Sequence, residues 1–125
     1  MRTSTVFLAL LSVALSALSQ VALKAGMISA PVQAAIGTSS LMKVTYAVSQ
    51  SWLILAGLLS FGLSALVWLS VLSRAPLSTA YPFVALGIVI TTAAGFLLFH
   101  ESFPPMKIVG VLLIACGVIA VATSA

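Results

Sequence analysis

Four long apolar runs, at about residues 5–26, 51–73, 77–99 and 106–123, take up most of the chain and decide what it can become. Each can cross roughly 30 Å of hydrocarbon as a helix, at about 1.5 Å of rise per residue. Inside lipid every backbone N–H and C=O needs a partner within the protein, which leaves helices and closed barrels, and these runs are too long for tilted barrel strands. The expected fold class is therefore an all-α integral membrane protein. Its four transmembrane helices should form a compact bundle and a single membrane domain over residues 1–125.

Charge is too scarce for any other class. Of 125 residues, 5% are charged and 62% hydrophobic, whereas a soluble domain carries about 25% charged residues. No separate soluble domain is expected. The basic residues Arg2, Lys24, Lys43, Arg74 and Lys107 are scattered and stand against one acid, Glu101. A nucleic-acid partner would need a basic stripe on a polar background, so none is expected. Isolated cations beside apolar runs suit headgroup contacts, which makes membrane lipid the expected surroundings.

Arg2 before an apolar stretch, with Ala17-Leu18-Ser19 behind it, has the outline of a signal peptide. The apolar pattern continues through Val21, Ala22 and Leu23, however, and cleavage would leave three spans. The first run is accordingly kept as a helix. Residues 27–50 form a long connection whose part from Leu41 to Val48 suits an interfacial element as well as a plain loop. The tight connections near Arg74-Ala75-Pro76 and residues 100–105 make spans two, three and four antiparallel neighbours. Arg2 and Arg74 fall on one side of the membrane and Lys24, Lys43 and Lys107 on the other. So even a distribution leaves orientation open and permits an antiparallel dimer.

Polar groups inside a span mark where protein or water must lie. Ser12, Ser16, Gln20 and Lys24 recur every four residues and share one helix face, with Ser19 beside them. Serines can merely satisfy backbone carbonyls or allow close packing, and Lys24 can snorkel, but Gln20 requires several hydrogen-bond partners. The stripe is read as a polar groove opening at Lys24. In the second span Ala56, Ser60 and Ser64, with Gly57 and Gly62 nearby, make a small-residue packing face. Trp68 continues that line and reads as an interfacial anchor, with a wall of the groove as the alternative. The fourth span, with Gly110 and Gly117, reads as a packing or dimer helix.

Pro82 removes a hydrogen bond to the Ser78 carbonyl, so a hinge-like kink is expected there with Tyr81 beside it. The adjacent His100 and Glu101 lack the further ligands or positioned groups that a metal site or catalytic centre needs. An ion pair with Lys107 or a headgroup contact fits better. No enzyme, metal or cofactor is expected. Cys116 stands alone, which excludes an intrachain disulfide, and it suits a small packing role.

Trp68, Ala75-Pro76-Leu77, Ala80-Tyr81-Pro82, His100-Glu101, the Gly110 and Gly117 spacing, and Ser19-Gln20 with Lys24 together resemble the short, four-helix, EamA-like form of the drug/metabolite transporter superfamily. The resemblance is greatest to flippase subunits that move aminoarabinose-phosphoundecaprenol across the bacterial inner membrane. The long first connection departs from that pattern. The small multidrug-resistance exporters are similar in size. They carry an essential membrane-embedded Glu eight residues before the Lys, where this chain has Ser16.

What the resemblance implies is a multi-pass flippase subunit of the inner membrane that acts on a polyprenyl-phosphate-linked sugar in lipopolysaccharide modification. Such a subunit would work as a homodimer or with a paralogous subunit. Lys24 and Arg74 would meet the phosphate, and Ser12, Ser16, Gln20, Tyr81 and Glu101 complete the candidate substrate-binding set. An exporter of small metabolites or drugs, and a non-transporting subunit that stabilises a glycosyltransferase, are the alternatives.

Overall fold

A computed structural model describes residues 3–124, and Arg2 lies outside the described residues. Four helical segments are long and apolar enough to span a membrane: Thr3–Met27, Trp52–Leu72, Leu77–Leu98 and Pro105–Ser124. The first, second and fourth are single helices, α1, α4 and α7. The third is built from α5 (Leu77–Ala80), a 3₁₀ turn (Tyr81–Phe83) and α6 (Val84–Leu98).

The long first connection is helical, so it is neither a plain loop nor extended. It forms α2 (Ala30–Gly37) and α3 (Leu41–Gln50). Local chemistry sets their limits. Gln33 reaches back from α2 to donate its amide to the Met27 carbonyl at 2.8 Å, satisfying an end group of α1 that has no helical partner. Pro31 stands at the start of α2, where its missing N–H costs nothing. Ser40 and Ser51 precede α3 and α4 and accept from the Lys43 and Ile54 amides, the role of an N-cap hydroxyl.

α1 is the hub of the bundle. It packs along α4 and along α6, and α7 attaches to α6. The α1/α4 contact is close because glycine allows it. A Cβ on Gly57 would lie 2.9 Å from the Leu23 side chain and 3.1 Å from the Ser19 carbonyl, and one on Gly26 would press into Ile54. Close backbone approach of this kind replaces the hydrophobic drive that helices lack in lipid.

Spans two and three meet at the Arg74 end, where α5 contacts α4 and Val71 and Trp68 pack with Ala80 and Phe83, while α4 and α6 share almost no contact beyond it. Pro82 stands between the two parts. Its missing N–H converts one turn to 3₁₀ geometry, and the span beyond lies on α1. Phe83 then points inward, joining Ala9, Val13, Val71 and Ala80 in the buried apolar cluster. Two of the small-residue expectations separate. Gly57 is a contact residue, whereas nothing lies within 4 Å of a Cβ built on Gly62, Gly110 or Gly117. α7 buries only Val118 among its described residues.

Candidate substrate groove

The polar stripe of α1 runs opposite a second stripe on α6. Ser12 and Ser16 line a cavity of about 210 Å³ with Phe61, Ser64 and Trp68 of α4 and Val84 and Gly87 of α6. One turn further along α1, Gln20 and Lys24 line a groove of about 200 Å³ with Thr91 and Gly95 of α6, with Phe99 just past its end and with Glu101. On α6 the lining residues Gly87, Thr91 and Gly95 recur every four residues, so they too share one face. That spacing is visible in the sequence. It does not stand out there, because two glycines and a threonine carry little polarity of their own.

Three hydroxyls in this region have main-chain partners. Ser12 Oγ is buried and donates to the Ser64 carbonyl across the helix contact at 2.8 Å. Ser19 is turned back on its own helix, donating to the Ser16 carbonyl at 2.6 Å. Thr91 donates to the Gly87 carbonyl at 2.8 Å. Trp68 is half-buried and forms a wall of the cavity at Ser12, the second of the two roles its position suits.

Glu101 reaches the lower groove by a turn in the backbone. His100 takes a left-handed φ of 53°, a conformation in which His is enriched among non-glycine residues. The chain doubles back so that the Glu101 amide donates to the Gly95 carbonyl at 3.1 Å. The carboxylate then lies over Gly95, where an added Cβ would sit 2.6 Å from Oε2. Glu101 also borders a neighbouring groove with Lys107, whose Nζ donates to the Ser102 carbonyl at 3.1 Å.

Of the residues singled out in the sequence, the structure gathers Gln20, Lys24 and Glu101 in one groove, with Ser12 and Ser16 in the adjoining cavity. Arg74 and Tyr81 are not among them. Arg74 lies in the turn at the opposite end of the spans, and Tyr81 is 60% exposed and faces outward. Pro82 shapes the third span without lining either cavity. Among the described residues no three His, Cys, Asp or Glu come together as a metal site.

Residues 23–114 match the family model described as Small Multidrug Resistance protein. The chain belongs to that family. Membership makes it a multi-pass protein of the inner membrane and not an enzyme. The match is to the small multidrug-resistance model and not to an EamA-like one. It begins after Ser12, Ser16 and Gln20, so most of the α1 stripe lies outside it.

Curated relatives include the probable 4-amino-4-deoxy-L-arabinose-phosphoundecaprenol flippase subunit ArnE of Salmonella paratyphi B and that of Salmonella typhimurium. Each is 39% identical over 74 residues, 59% of this chain and 66% of the relative. The chain thus spans just under two thirds of the length of the relatives it matches. No solved structure matches it.

Proposed function

We propose that this chain is a flippase subunit that carries a polyprenyl-phosphate-linked sugar, of the aminoarabinose type named for its relatives, across the inner membrane. The observation that carries the reading is that Gln20 and Lys24 line one groove, with the separate cavity lined by Ser12 and Ser16 a turn away along α1. Lys24 offers an ammonium to the phosphate, and such charge-assisted hydrogen bonds are the strong ones. Gln20 and Thr91 can exchange hydrogen bonds with sugar hydroxyls. The polyprenyl tail stays in lipid throughout, so the protein needs to offset the desolvation of the headgroup alone.

Size argues for a second subunit. Each cavity is smaller than the roughly 300–1,000 Å³ of an ordinary ligand site, and α7 leaves Gly110 and Gly117 uncovered. A homodimer, or a pair with a paralogous subunit, would complete the enclosure. In an antiparallel pair, Arg74 and Tyr81 of one subunit would come to the membrane face where Lys24 of the other lies. Pro82 would serve as the hinge of the moving span.

Vesicles holding the protein test this directly. A polyprenyl-phosphate aminosugar placed in one leaflet should reach the other faster than in protein-free vesicles. Equal rates would refute the proposal.

A further inference from the structure

The lone acid stands outside the apolar runs in the sequence, yet the fold returns it to the groove. Three observations make the return specific. His100 adopts the left-handed turn, the Glu101 amide is held by the Gly95 carbonyl, and Gly95 has no side chain where the carboxylate rests. The outcome is a groove lined by an ammonium from α1 and a carboxylate from beyond α6, with Gln20 and Thr91 among the other lining residues.

A groove with unlike charges selects against ligands of one sign. A lone phosphate gains from Lys24 and is opposed by Glu101, and a simple cation meets the reverse. A headgroup carrying both a protonated amine and a phosphate is favoured by both residues, because each charge can be desolvated beside its opposite. Lys107, whose ammonium donates to the Ser102 carbonyl, borders Glu101 from the neighbouring groove and keeps its charge there.

We infer that Glu101 is a specificity-determining residue that binds the protonated amine of a zwitterionic aminosugar-phosphate headgroup while Lys24 holds its phosphate. The inference rests on the flippase reading. Gly95 is its positioning residue, since any side chain there displaces the carboxylate tip. Glu101 thus separates an aminated lipid from the same lipid with its nitrogen acylated.

Two synthetic probes test this: polyprenyl-phosphate 4-amino-4-deoxyarabinose and its N-formyl counterpart, which lacks the positive charge. Their binding to the full chain is measured in lipid nanodiscs, and their movement in vesicles. The native chain should bind the amine about tenfold more tightly than the formamide, the scale of one hydrogen bond to a charged group. Glu101→Gln should bring that ratio close to one. Gly95→Ala, which keeps every charge and meets only the end of a flexible side chain, should lower it part of the way. Lys24→Gln should weaken both probes alike.

An unchanged ratio in Glu101→Gln, or a native ratio near one, would overturn the inference. Vesicles that still move the lipids in that case would leave the flippase reading standing. Vesicles that move neither lipid would remove the flippase reading, while the nanodisc ratio would still decide the role of Glu101.

Discussion

Ser12 on α1 donates its hydroxyl to the main-chain carbonyl of Ser64 on α4 at 2.8 Å, and both residues are buried. Among the described residues the other side-chain hydrogen bonds stay within six positions along the chain. Ser12–Ser64 is therefore the polar tie between spans, and it lies in the wall of the upper cavity.

Replacing Ser12 by Ala should cost little. Interhelical hydrogen bonds in membranes average about 0.6 kcal/mol and reach about 1.7, because the unfolded chain in the membrane also finds partners for these groups. Reversible unfolding in mixed micelles would measure it, and a loss well above 2 kcal/mol would show that the tie does more than join two helices.

Gly26→Ala and Gly57→Ala should be worse, since each new methyl meets Ile54 or Leu23 inside contact distance. Overpacking of this kind costs about 1–3 kcal/mol. Gly62→Ala meets nothing and should stay within about 0.5 kcal/mol of the parent. The same unfolding measurement separates the three, and equal losses would contradict the close packing of α1 on α4.

The four spans were legible in the sequence because apolar length is a one-dimensional property. Their packing order was not. Tight turns suggest that spans two and three run side by side, yet they meet only near the turn, and α6 lies on α1. The α1 stripe was equally legible from its four-residue period. The approach of Glu101 was hidden, for it depends on a left-handed His100 and a bare Gly95 that no periodicity encodes. The sequence alone leaves Trp68 between two roles for a related reason, since an interfacial anchor and a cavity wall call for the same residue type.

Proton-driven export of cationic drugs should be absent. That chemistry needs a desolvated carboxylate that binds either proton or cation. Position 16 holds Ser, and the one acid enters from the loop beyond α6. Vesicles with an imposed pH gradient should release a quaternary ammonium dye no faster than empty ones. Gradient-dependent release would contradict the assignment of Ser16 and restore the exporter reading.

The most direct test of the groove is transport by the Gln20→Ala, Lys24→Ala double variant in vesicles, with helical content checked by circular dichroism. Loss of a hydrogen bond to a charged group costs about 1.5–3 kcal/mol, so a roughly 10- to 100-fold fall in movement of the polyprenyl-phosphate aminosugar is expected, with the fold retained. Transport at the native rate by the folded double variant would contradict the account.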